Sequence, residues 1–266
     1  MRLVILMLLL LPFGGTRAGE YRALHHKVGL LHLYRAEPEE LSIHWQGRDG
    51  TPKRTFQRLE SELAEAGKRA VFLMNAGIFE PGGIPSGLHV QAGKEMRPLN
   101  LADGRGNFFL KPNGVFFIGG DGAHVVEAGE YAKAAPRPRL ALQSGPLLLR
   151  GGQTHPAFRL ASESKLHRNG VGILPDGRIL FVMTDMKSGT RVNLFTFAQL
   201  FRQFGCQDAL FLDGDLSIMV VDNEGDANDF TEPEDRELAP GVPAGNHFGA
   251  ILAVVVEDDL APPRAK

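Results

Sequence analysis

The sequence predicts one α+β domain with a mixed, largely antiparallel β-sheet core and a few helices packed on it. Three observations point there. Short apolar runs recur between Gly, Asn and Pro along most of the chain, which is the rhythm of strand and turn. Only two segments show the three-and-four spacing of an amphipathic helix. No repeat or internal linker divides the 266 residues, a length that a single domain accommodates, and 32 Gly with 17 Pro favour turns over a helical bundle.

Taken in order, Met1-Arg2 precedes nine apolar residues, Leu3 to Leu11, and then Pro12-Phe13-Gly14-Gly15 and Thr16-Arg17-Ala18. A basic start, a short apolar stretch and a small residue at the cut read as a secretory signal cleaved near Ala18. The alternative is a buried N-terminal strand; the run is too short for a membrane span, which takes ~20 residues. Leu41 to Trp45 alternates as a half-buried strand does. Phe56, Leu59, Leu63 and Ala66 put a helix over Thr55 to Ala66, stopped by Gly67. Ala70 to Met74 reads as an interior strand ending at Asn75-Ala76-Gly77. Shorter strands are expected at Gly87–Val90, Asn107–Leu110, Val115–Ile118, His124–Glu127, Leu140–Gln143 and Leu147–Arg150. Val171–Leu174 and Ile179–Thr184 flank Pro175-Asp176-Gly177 and predict a hairpin. A second helix covers Leu194 to Phe204, followed by strands at Ala209–Leu212 and Ile251–Val256. The expected layout is a signal at 1–18, one domain at 19–260 and a flexible tail at 261–266.

Composition excludes several functions. Lys and Arg total 29 against 31 Asp and Glu, so no basic field is available for nucleic acid. Losing Arg2 and Arg17 with the signal makes the balance more acidic still. A single cysteine, Cys206, rules out an intrachain disulfide, and no Cys/His spacing suggests zinc. Cys206 is expected to be buried rather than reactive. Residues 222–237 hold eight acids against Arg236, but Glu224 and Ala227 stand where a calcium loop counted from Asp222 needs Asp or Asn and Gly. A solvated loop is the expectation there, with a loosely bound divalent cation as the alternative.

Familiar catalytic templates are missing. Ser86 in Gly83-Ile84-Pro85-Ser86-Gly87 is out of register for a nucleophile elbow, and no nucleotide loop or HExxH is present. What stands out is polar residues at the ends of apolar strands, where a sheet holds a side chain rigidly beside a cleft. Asn75, Ser144, Asp185 and the Asp213-Gly214-Asp215 turn all sit so, with Arg168 in a polar stretch before a strand. Each could also be an ordinary turn or surface residue.

These segments resemble a known family. Asn75-Ala-Gly-Ile-Phe79, Gln143-Ser-Gly-Pro-Leu147, Arg168-Asn-Gly-Val-Gly172 and Leu212-Asp-Gly-Asp-Leu-Ser217 occur in the order found in phosphodiester glycosidases, which include the lysosomal uncovering enzyme. Pro98 to Gly104, Asn107 to Val115 and His155-Pro156 resemble its exported bacterial branch in particular. The resemblance implies hydrolysis of a sugar-1-phosphodiester to free sugar and phosphomonoester. Arg168 suits the phosphate, because a guanidinium fork can hold two of its oxygens. Asp213, with Asp185 as second choice, suits the carboxylate that faces a developing anomeric cation or activates water. Asn75 and Ser144, with backbone around Gly77 and Gly145, could bind sugar hydroxyls or phosphate oxygens, and Ser217 would support Asp213 or the phosphate.

One position departs from the family pattern. Relatives commonly carry small hydroxyl residues after the Asp-Gly pair, whereas here Asp215-Leu216-Ser217 adds a carboxylate. Asp213 and Asp215 on one face of a strand would raise one pKa or attract a divalent cation. No cofactor is otherwise expected. The expected partner is a glycan or envelope polymer carrying a sugar-1-phosphodiester, met in the periplasm or outside the cell. A metal-dependent phosphodiesterase and a non-catalytic glycan or cell-wall binder stay open as alternatives.

Overall fold

The computed structural model describes residues 19–223, 226–228 and 248–258. The expected signal at 1–18, the tail at 261–266 and most of the acidic stretch therefore lie outside the described residues. Where the chain is described, apolar residues alternate or run continuously through short strands, and every strand pairing is antiparallel.

Numbered in chain order, the strands form three larger sheets and a short hairpin, β5 (Phe79–Glu80) with β6 (Ile84–Pro85). The first sheet runs β1 (Glu20–His26), β2 (Gly29–Ala36), β15 (Ile179–Thr184), β14 (Asn169–Ile173), β16 (Ala209–Asp213), β12 (Leu147–Arg150), β13 (Gln153–Thr154). The second runs β18 (Asp226–Asn228), β17 (Met219–Asn223), β4 (Lys68–Asn75), β19 (Ile251–Glu257), β3 (Leu41–His44). The third runs β10 (Gly122–Glu127), β9 (Gly114–Gly119), β11 (Leu140–Ser144), β7 (His89–Gln91), β8 (Lys94–Arg97).

One core joins all three. Tyr34, Phe181 and Leu212 from the first sheet meet Phe72, Met74 and Leu252 from the second and Phe116 and Leu142 from the third. Each sheet then has a helix on its outer face. α1 (Phe56–Glu65) sets Phe56, Leu59 and Leu63 against Leu73, Ile251 and Ala253. α2 (Ala128–Ala134) packs Ala128 and Tyr131 on Val115 and Phe117. α3 (Leu194–Gln203) buries Phe197, Leu200 and Phe201 against Leu180, Val182 and Phe211. Thr55 and Asn193 cap α1 and α3, accepting hydrogen bonds from the Arg58 and Thr196 backbone amides at 3.2 and 2.8 Å. Gly67 follows α1 at φ +71°, a left-handed value that a side chain would resist.

The expected helices, the hairpin around Gly177 and nearly all the strands are present. Asn107–Leu110 is a correction: Asn107–Phe109 forms a 3-10 turn, tied down where Asn113 Nδ2 donates to the Phe108 carbonyl at 2.9 Å. The structure adds β1, β2, α2 and β17, which the reading of the sequence did not anticipate. Cys206 is buried, and burial pushes its thiol up to about 12. Among the described residues no helix is long and apolar enough to cross a membrane.

Candidate functional site

The site is built where strands from different sheets end together. Asn75 closes β4, Asp213 closes β16, Ser144 closes β11, and Asn169 opens β14. Strand β16 carries an extra residue at its end. Gly170 opposes Phe211, yet Asn169 opposes Asp213, so Leu212 and Asp213 share one partner in a β-bulge. Phe211 faces α3, whereas Leu212 faces the central core. The bulge keeps Asp213 on the inner side with Leu212 and lets it reach the second sheet.

There Asn75 Nδ2 donates to Asp213 Oδ2 at 2.9 Å, and the Gly214 amide donates to Asp213 Oδ1 at 2.7 Å. Asn75 Oδ1 accepts from the Ile218 amide at 2.8 Å and from Asn169 Nδ2 at 2.9 Å; Asn169 Nδ2 also donates to the Asn75 carbonyl at 3.0 Å. Asn75 and Asn169 are buried, while Asp213 keeps partial exposure. Sequence reasoning missed Asn169 as a site residue, although it lies inside the Arg168-Asn169-Gly170 motif at the start of a strand.

Ser144 and Ser217 stand behind this group. Ser144 Oγ donates to the Leu212 carbonyl at 3.2 Å, bracing the bulge. Ser217 Oγ donates to the carbonyls of Gly214 and Asp213, closing the turn that presents the carboxylate. A Cβ on Gly145 would lie 2.7 Å from Asn113 Cβ and 2.9 Å from the Phe108 carbonyl. Its glycine thus meets a close approach within the protein. Gly77 has φ +78°, so its conformation itself favours glycine.

Arg168 and Asp215 form a neighbouring group. The Arg168 guanidinium is buried over the Phe211 ring, 5.4 Å from its centroid. Its Nε donates to the Val192 carbonyl at 2.7 Å and Nη2 to the Ser164 carbonyl at 3.1 Å; Nη1 has no hydrogen-bond partner among the described residues. Burial lowers its pKa to about 10, with Asp215 opposing, so it stays a cation at neutral pH. Arg168 lines a 130 Å³ cleft with Ser162, Ser164, Arg159, Leu110 and Phe158. Asp215 is exposed, and its Oδ1 accepts from the His167 amide at 3.1 Å.

Asp185 is placed elsewhere. Its Oδ2 pairs with His32 Nε2 at 2.8 Å, its Oδ1 accepts from the Ser188 amide at 2.6 Å, and His32 Nδ1 meets the Tyr21 hydroxyl at 2.9 Å. Burial alone would raise the Asp185 carboxyl, but its hydrogen bonds with His32 and Ser188 outweigh that and hold it below its ordinary value. Burial pushes His32 down despite its carboxylate partner. Across the sheet Asp213, Asn169, Met183 and His32 stand in register. Three strand spacings of ~4.8 Å put His32 roughly 14 Å from Asp213 at the backbone. The Asp185 pair is therefore outside hydrogen-bond reach of Asp213. Among the described residues no group of three or more His, Cys, Asp or Glu is placed to hold a metal ion.

A family model described as phosphodiester glycosidase matches residues 68–245. The uncharacterized protein YigE of Escherichia coli (strain K12) is 31% identical over 221 residues, 82% of this chain and 84% of the relative. The chain belongs to the phosphodiester glycosidase family. Membership makes it an enzyme, a glycosidase acting on phosphodiesters, and the matched span includes Asn75, Ser144, Arg168, Asp185 and Asp213. The fold agrees with that of zebrafish N-acetylglucosamine-1-phosphodiester alpha-N-acetylglucosaminidase, whose catalytic domain was solved auto-inhibited by its pro-peptide. That match has a TM-score of 0.61 at 15% identity and covers 89% of this chain and 81% of that one.

Proposed function

We propose that this phosphodiester glycosidase is an exported hydrolase that cleaves a sugar-1-phosphodiester of a glycan or envelope polymer, with Asp213 as the carboxylate at the anomeric centre. The observation that carries the reading is the Asn75–Asp213 contact, made by the ends of two strands in different sheets and left partly open to solvent. Asp185 is the weaker candidate because it is buried and committed to His32 and Ser188. A phosphodiester is already a fair leaving group, so the reaction turns on stabilising charge as the anomeric bond lengthens. Asp213 would either face the developing cation or hold the attacking water.

Arg168 is proposed for the phosphate. Its Nη1, without a hydrogen-bond partner among the described residues, and the cleft it shares with Ser162, Ser164 and Arg159 support this, as does a buried cation's need for an anionic partner. Asn75 and Ser144 serve this reading by supporting Asp213, with Ser217 and the Gly77 and Gly145 backbones beside them. Export rests on the sequence of residues 1–18 and is tested by the N-terminal mass of protein recovered from the cell envelope.

The test incubates the purified protein with N-acetylglucosamine-1-phospho-methylmannoside, with and without a chelator, and follows free sugar and phosphomonoester by mass spectrometry. Sugar release that survives the chelator and falls about 10²- to 10⁴-fold in Asp213→Asn is expected, with a comparable loss in Arg168→Ala. Release at the parent rate in both variants would overturn the assignment. Chelator-sensitive release would favour a cation at Asp213 and Asp215, and binding without product would favour the glycan-binding alternative.

A further inference from the structure

We infer that Asn169 is a positioning residue for this hydrolysis: it locks the Asn75 amide so that its nitrogen, not its oxygen, faces Asp213. The inference rests on the reading of Asp213 as the reactive carboxylate. Main-chain groups settle the orientation of both amides. The Ile218 amide can only donate, so the Asn75 atom 2.8 Å from it is Oδ1. The Asn75 carbonyl can only accept, so the Asn169 atom 3.0 Å from it is Nδ2. That same Nδ2 donates to Asn75 Oδ1 at 2.9 Å, which leaves Asn75 Nδ2 as the atom 2.9 Å from Asp213 Oδ2. A flipped Asn75 would set its oxygen against a carboxylate and its amino group against two donors. Three favourable contacts would become three unfavourable ones.

Asn169 carries a cost for this service. It is fully buried, and its own Oδ1 has no hydrogen-bond partner among the described residues. An orphaned buried acceptor costs about 1–3 kcal/mol, which an apolar residue of similar size at 169 would avoid. What such a residue would lose is the Nδ2 donor that both Asn75 oxygens use. Strand register supplies the rest, because Asn169 opposes Asp213 directly and its side chain bridges from the first sheet to the end of β4. Two positions beyond Asp213 and two before Asn169, Asp215 Oδ1 accepts from the His167 amide at 3.1 Å, and the His167 ring accepts from Arg191 Nε at 3.3 Å.

The test has a substrate-free arm and a kinetic arm. In nuclear magnetic resonance spectra of the whole protein, the Asn75 side-chain amide protons should exchange slowly with water. In Asn169→Ala they should exchange like those of a solvent-exposed asparagine. If Asn169→Ala fails to fold, Asn169→Thr is the milder variant and is read in the same way. Unchanged Asn75 protons in the variant overturn the inference with no need of a substrate. In the kinetic arm Asn169→Ala should lower kcat about tenfold or more while KM stays within about twofold. The double variant with Asn75→Ala should lose no more than Asn75→Ala alone, since both act through one contact. Losses that multiply overturn the inference. Asp213→Asn separates the two ideas: if it works at the parent rate the site reading fails, whereas if it is dead and the asparagine losses multiply, only the positioning role fails.

Discussion

Acid should unfold this protein partly through two histidines, His44 and His89. His89 on β7 is fully buried, its ring set edge-on to Trp45 at 5.7 Å, and neither ring nitrogen has a hydrogen-bonding partner of good geometry among the described residues. Burial lowers its pKa to about 4, with His44 adding repulsion, and burial with Lys53 does the same to His44. An unfolded histidine titrates near 6.5, so between that value and about 4 the unfolded chain binds protons that the folded chain refuses. The sign follows: this stability is present above pH 6.5 and is lost as pH falls towards 4. For one such histidine the loss reaches about 2–3 kcal/mol by about pH 4.5. His89→Phe keeps an aromatic ring but removes the titration. Urea unfolding of parent and variant at about pH 7 and about pH 4.5 gives two drops in stability, and each protein serves as its own reference for packing changes. The drop should be smaller in the variant by about 2–3 kcal/mol. Equal drops would refute the reasoning and show that water reaches the His89 ring in the native state.

Two further outcomes test packing around the site and the core. Gly87→Ala would put a Cβ 2.2 Å from Gln143 Oε1 and 2.8 Å from the Phe108 ring. That oxygen accepts from the Leu88 and Asn100 amides, so displacing it should cost about 1–3 kcal/mol in urea unfolding, and a neutral change would mean that Gln143 moves freely. Cys206, buried with its thiol pushed up to about 12, should resist a thiol-specific reagent at neutral pH until the protein is denatured, and rapid labelling of the native protein would contradict its placement.

Legibility in the sequence followed the strength of local signals. α1 and α3 were readable because Phe56, Leu59 and Leu63, and Phe197, Leu200 and Phe201, repeat at helical spacing behind good capping residues. β1 was not, because Glu20–His26 is an edge strand with no fully buried residue and therefore little apolar alternation. The turn at Asn107–Phe109 was misread for the opposite reason: Phe108 is buried, and a short apolar run does not reveal its backbone. The strand-end rule selected Asn75 and Asp213, which the fold brings into contact at 2.9 Å. The same rule also selected Asp185, since a sequence shows that a carboxylate ends a strand but not that a histidine on the neighbouring strand has already claimed it. Direction was hidden for Arg168 as well, whose guanidinium turns back to backbone carbonyls at Val192 and Ser164.

The hidden step is the same for Asp213, and it explains how one strand both fills the core and presents a partly open carboxylate. Strict alternation from Phe211, which packs against α3, would return Asp213 to the α3 side, where burial of a carboxylate among Phe197, Phe201 and Val182 would be costly. The extra residue at Leu212 removes that conflict. Leu212 keeps its place in the central core, and Asp213 joins Asn169 and Asn75 at the junction of two sheets. A bulge depends on the residue count of the partner strand, so no reading of Ala209-Leu-Phe-Leu-Asp213 alone could reveal it. Ser144 then holds the bulged carbonyl of Leu212, and Ser217 holds the turn beyond it. These two buried serines fix the backbone that aims the carboxylate. In this fold the polar residues that end β4, β11 and β16 thus divide between one partly open acid, Asp213, and the buried Asn75 and Ser144 that hold it in place.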